Sequence, residues 1–161
     1  MRTLLIPLLL LCGCGSTTSV TPSPTVDPAV RAAAAQAYST AAAKANAAKA
    51  MLRAGPCTKS DNASLKACSS GLAAAEQAFA DALLMITFPA DASADATALI
   101  AIDRRVVAEE VSFANSANPQ ADATDFTAIE SDDKLLAAAV AAERRDLGLA
   151  PPPSLGATST P

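Results

Sequence analysis

An all-α fold, an up-down-up-down four-helix bundle, is what this chain predicts, and three observations predict it. Alanine, the best helix former, supplies 41 of the 161 residues. Aromatic residues, which favour pleated surfaces, make up 3% and Trp is absent, although 51% of the chain is hydrophobic. Helix punctuation divides the middle of the chain into four segments of matched length, each about 26 residues or ~39 Å at 1.5 Å per residue.

The elements begin with an export signal over residues 1–13. Arg2 is its basic start, and Leu4 to Leu11 form an apolar run of eight residues broken only by Pro7. Such a run falls far short of the ~20 residues a spanning helix needs. Leu11-Cys12-Gly13-Cys14 resembles a bacterial lipobox, in which Leu and a small residue precede a lipid-modified Cys. Cys12 departs from the Ala, Ser or Thr usual at its place. The resemblance implies cleavage before Cys14 and acylation there with diacylglyceryl and palmitate-type chains. The product would be anchored in the cell membrane on its extracytoplasmic face. Two or three acyl chains hold stably where one holds marginally. An ordinary secretory signal with an incidental Cys is the alternative. Residues 14–26 then read as a Ser/Thr/Pro tether, its dozen or so residues spanning ~35 Å if extended.

The bundle is expected over 27–149. Asp27-Pro28 opens the first helix, 28 to 54, whose apolar stripe is Val30, Ala34, Tyr38, Ala41, Ala45, Ala48 and Leu52; Gly55-Pro56 stops it. The second, 62 to 87, carries Leu65, Cys68, Leu72, Ala75, Phe79, Leu83 and Ile86. Phe88-Pro89-Ala90-Asp91 breaks the chain before the third, 91 to 116, with Ala92, Ala96, Leu99, Val106 and Phe113. Asn118-Pro119 opens the fourth, 119 to 147, with Phe126, Ile129, Leu136, Val140 and Leu147, and Gly148 ends it. Short connections between helices of one length give the up-down-up-down arrangement. Residues 150–161, starting with Ala150-Pro151-Pro152-Pro153, read as a disordered Pro-rich tail.

Cys57 and Cys68 flank the first connection. In an oxidising compartment such a pair is expected to form a disulfide, closing a loop of about twelve residues and stabilising by roughly 3 kcal/mol. Charge is unevenly divided: residues 27–88 hold six basic and four acidic side chains, residues 89–161 five basic and twelve acidic. The net charge of -4 and pI near 4.7 offer nothing to nucleic acid.

The stripes break their own rule at the centre. Asp103 and Glu110 project into the third apolar arc, and Asp133 takes the heptad place between Ile129 and Leu136. Glu76 lies at the same level on the second helix, with Lys44 about one turn away. Two readings stay open. These groups sit on the rim, solvated or paired with Lys44; or they form a partly buried polar layer. In that layer Asp103 and Asp133 share a proton, pair with Lys44 or hold a hard cation such as Ca²⁺ or Mg²⁺.

Chemistry is otherwise sparse. The chain has no His, which excludes Ser-His-Asp, Cys-His and His-ligated metal sites. It has no Gly-rich phosphate loop, no GxSxG, no CxxCH and no ExxH, and no cofactor is expected. Asn62-Ala63-Ser64 is a chance-length glycosylation match.

The lipobox-like end, the Phe88-Pro89-Ala90 break before Ala94-Asp95 and Leu99-Ile100, and the ending Arg144-Arg145-Asp146-Leu147-Gly148-Leu149 resemble the small, Ala-rich helical lipoproteins of actinobacteria. The resemblance implies location and fold and transfers no site residues. The expected function is a non-enzymatic binding or structural module of the cell envelope, its partners the bilayer and an extracytoplasmic protein or envelope polymer. The alternative is a carrier of a small ligand or cation with a polar site inside the bundle.

Overall fold

The computed structural model describes residues 26–152; the signal over 1–13, Cys14, most of the 14–26 tether and most of the 150–161 tail lie outside the described residues. Four helices form a bundle: α1 (Pro28–Arg53), α2 (Asn62–Leu84), α3 (Ser93–Asn115) and α4 (Pro119–Asp146), with one 3₁₀ turn, Pro56–Thr58, between α1 and α2. No strand occurs among the described residues.

The helix ends follow local chemistry. The Asp27 carboxylate accepts the Ala29 N–H at 2.8 Å, with Pro28 in the first helical position. Asp61 caps α2 in the same way through Ser64 N–H at 2.8 Å, and hydrogen bonds from Ser64 hold its carboxyl below the usual range. α2 stops at Leu84, three residues short of the expected end, and α3 starts two residues late. Phe88 precedes Pro89 and is pushed out of helical backbone. The Pro89 carbonyl then accepts Ala92 N–H and Ser93 N–H, both at 3.0 Å, so a turn intervenes before the regular helix. α4 ends on Gly148 at φ 71, a left-handed conformation that glycine adopts without a Cβ clash. Leu149 N–H bonds back to Arg144 O at 2.7 Å and Gly148 N–H to Arg145 O at 3.0 Å, satisfying carbonyls the helix leaves open.

Consecutive helices pack side by side, and α3 is the central element, with the most extensive seams to α2 and α4. One cation ties each end. Arg31 donates to the Asp146 carbonyl and to the Asp91 carboxylate, joining the start of α1, the α2–α3 connection and the end of α4. At the opposite end Lys66 donates to the carbonyls of Phe113, at 3.1 Å, and of Ser116, and to Asp122 at 3.3 Å. It also lies 5.4 Å from the centre of the Phe113 ring. The same end carries Cys57 and Cys68 at disulfide-bonding distance, their Cα atoms 4.9 Å apart.

Apolar packing runs from the middle toward the Arg31 end. Tyr38 and Phe79 meet edge to face, with centroids 6.0 Å apart, among Leu83, Leu99, Val106, Leu136 and Leu147. Two expected stripes hold toward the Arg31 end, where Ala75, Phe79 and Leu83 of α2 and Leu136 and Leu147 of α4 are buried, and loosen toward Lys66. α2 buries Ser69, Ala73 and Glu76 and leaves Leu65 exposed. α4 buries Asp132, Leu136, Glu143 and Leu147, leaving Phe126 55% exposed. A helix whose neighbours are mostly alanine has little apolar area to bury, so the stripe is enclosed only where bulky partners meet it.

Candidate functional site

The unusual chemistry of the fold is carboxylate inside the bundle. Glu76 on α2 and Asp103 and Glu110 on α3 are all buried, and Asp103 is fully so. Asp103 and Glu110 are seven residues apart, two helical turns, and both stay on the inner face beside Val106. Lys49 on α1 donates to Glu76. Neither oxygen of Asp103 accepts a hydrogen bond from any described donor, and Glu110 Oε2 accepts none.

The electrostatics follow from that geometry. Burial, and next the Glu76 charge, push the Asp103 carboxyl up to about 8; Lys49 opposes them weakly. Asp103 therefore carries its proton at neutral pH, and as a neutral acid it can donate to Glu76, which an ionised carboxylate cannot do. Burial and Glu76 likewise raise Glu110 to about 8. The arrangement is one ion pair, Lys49–Glu76, flanked by two protonated acids. A third buried acid stands apart. Glu143 on α4 is 0% exposed with both oxygens without a hydrogen bond, and burial raises it to about 7, with Asp146 and Asp95 adding to the shift. Tyr38 is raised to about 12, chiefly by burial, with Glu143 and Asp103 contributing.

The expected layer of Lys44, Glu76, Asp103 and Asp133 is thus corrected at two positions. Glu76 and Asp103 are brought together. Lys44 is exposed, and Lys49 takes the place assigned to it. Asp133 is exposed as well, although partial desolvation and then the Glu76 charge still raise its carboxyl. Asp133 nonetheless stays the α4 acid beside Glu76 and Glu110, while its buried neighbour Asp132 turns away to accept from Nε and Nη2 of Arg105, the latter at 3.0 Å. Glu110, visible in the α3 arc, belongs to the layer.

A sequence signal for Lys49 existed. Cys57 pairs with Cys68 about a centre between residues 62 and 63, and Lys49 with Glu76 about the same centre. The register set by the two cysteines places 49, and not 44, opposite 76. Glu143 was legible too, four residues before Leu147 and seven after Leu136.

These residues can hold and release protons. Among the described residues no group of three or more Asp, Glu, Cys or His side chains is arranged to hold a metal ion, and Asp103 and Asp133, the candidate ligands, point to different surroundings, one interior and one solvent. A groove of about 440 Å³ between α1 and α2 is lined mostly by alanine, with Phe79, Met51 and Lys44, and brings no reactive pair together.

The chain matches no protein-family model, no curated protein and no solved structure.

Proposed function

We propose that the protein is a lipid-anchored module of the cell envelope, of the kind that small Ala-rich actinobacterial lipoproteins represent. It is held on the extracytoplasmic face of the membrane by acylated Cys14, and its bundle serves a binding or structural role without catalysis. One observation carries the reading beyond the lipobox-like sequence. Arg31 gathers the start of α1 and the end of α4 at one end of the bundle, so the described chain begins and ends at the same end. A bundle tethered from one end presents its sides and its Lys66 end to an extracytoplasmic protein or envelope polymer. The absence of His and of any nucleophile–base motif in the sequence supports a non-enzymatic role.

Two measurements test this. Mass spectrometry of the membrane fraction is expected to find acyl chains on Cys14, and an unmodified N-terminus upstream of it in secreted material would overturn the anchor. Proximity labelling from the anchored protein is expected to recover an envelope component with the intact bundle and to lose it when Leu99 is replaced by Asp. The carrier alternative draws support from the interior carboxylates alone. Lys49 already balances Glu76 there, so a bound cation would have to displace a proton or a lysine.

A further inference from the structure

From its middle to its Lys66 end the interior of the bundle holds buried acids that its one cation does not neutralise. Asp103 is fully buried with no donor on either oxygen, and Glu110 is buried with one oxygen unserved. The groups that face them are few. From α1 there is Lys49, and Tyr38 on the side of Asp103; from α2, Glu76; from α4, Asp133 on the side of Glu110. Lys49 is the single cation among these, and its ammonium is already engaged by Glu76. Ionising both acids would leave two carboxylates in the interior with one shared lysine. An uncompensated buried charge is not tolerated in a packed bundle, so the group stays protonated or the packing opens to water.

Beyond Val106 the large apolar side chains are less completely buried. Large buried apolar side chains lie from Val106 and Leu136 toward the Arg31 end, while Met51, Leu65, Val111 and Phe126 are exposed beyond them. Closure there rests on the half-buried Leu52, Leu72, Phe113 and Ile129, the Lys66 clamp, the Cys57–Cys68 bridge and the neutral acids.

We infer that the bundle from the level of Asp103 to its Lys66 end is a proton-gated element, closed when Asp103 and Glu110 hold their protons and opened to solvent when those protons pass to water. The raised affinity of both groups for protons fits this device. The inference is independent of the lipid anchor. Each acid binds its proton more tightly closed than open, so closure is fully favoured below the open-state value of about 4 and is lost as pH rises through about 8.

Native-state hydrogen exchange on the full mature chain, its disulfide intact, tests it. After correction for intrinsic exchange, amides of residues 104–112 in α3 are expected to open more easily as pH rises from 5 to 8. With two protons released, the opening constant rises by up to ~100-fold per pH unit. Asp103→Asn and Glu110→Gln, each a neutral isostere of the protonated acid, should each lower that dependence toward ~10-fold per unit, and the double variant should abolish it. Glu143→Gln should leave the dependence at 104–112 unchanged. Opening that is independent of pH in the unaltered protein overturns the inference, as does a dependence that survives the double variant. If a single variant proves too unstable to study, the pH profile of the unaltered chain beside that of Glu143→Gln still decides.

Discussion

The Arg31 half and the Lys66 half of this bundle are made from the same four helices on opposite interiors. Toward Arg31 the helices close on Tyr38, Phe79, Leu83, Leu99 and Leu147, with Glu143 buried among them and Asp103 at the boundary between the halves. Toward Lys66 they close on Ser69, Glu76 and Glu110 with Leu52, Leu72 and Phe113 half-buried; Met51, Leu65, Val111 and Phe126 face outward there, as Val30, Leu84 and Met85 do at the other end. The two halves therefore draw stability from different sources. One rests on apolar area removed from water, the other on a covalent brace, a lysine clamp and a set of carboxyls that must stay neutral. Helix content alone does not show this, since the backbone is equally regular in both halves.

Core truncation should separate the halves most sharply. Leu99 is 0% exposed, and Leu99→Ala is expected to cost about 2–5 kcal/mol in urea unfolding. A cost below ~1 kcal/mol would mean that the Arg31 half is not the apolar anchor. Next comes the brace of the other half: replacing Cys57 and Cys68 together by Ser should lose roughly 3 kcal/mol, read from the same unfolding curves. If stability is unchanged, the bridge does not constrain the unfolded chain and the comparison shifts to the clamp.

Lys66→Met removes three donor contacts from the carbonyls and carboxylate that end α3 and start α4, while keeping most of the side-chain bulk. A loss of about 1.5–3 kcal/mol is expected from calorimetry, since hydrogen bonds to a charged group are involved. A smaller effect distinguishes Glu143, the acid of the Arg31 half. Its carboxyl is raised to about 7 in the fold, so its contribution is complete below the unfolded value near 4.5 and fades as pH rises through 7. Glu143→Gln is therefore expected to reduce, without abolishing, the fall of Tm between pH 5 and 8; an identical fall in the variant would remove Glu143 from the account. At the bottom of the scale, Phe126→Ala should change stability by no more than ~0.5 kcal/mol, because the ring is more than half exposed. A large loss there would mean that the Lys66 half has an apolar core after all.

Much of this was legible before the structure. Asp27-Pro28, Gly55-Pro56, Asn118-Pro119 and Gly148 mark helix ends by local chemistry, and a cap needs only its own neighbours. The cysteines were readable for the same reason, as two residues flanking one connection. The oddity of Asp103 was readable from helical period. Lys49 in place of Lys44, and the exposure of Asp133, were not legible in the local pattern because level and rotation are not local properties. Counting a turn along α1 gives a height, but the register against α2 comes from the eight residues 54–61 and the bridge across them. A shift of one residue on α4 turns a side chain by about 100° and moves it from interior to solvent.

The sequence by itself determined that four helices form, where α1 and α4 begin and end to within a residue, and that charge would fall on faces otherwise apolar, because propensity, capping and period act within a few residues. Only the tertiary structure decided which acids lose their water. Burial depends on how far each helix rotates about its axis when α3 packs against both α2 and α4. Alanine faces leave that rotation nearly free until the bulky residues at the Arg31 end lock it. Asp103 is enclosed by that locking, and its proton, rather than a partner side chain, makes the enclosure tolerable.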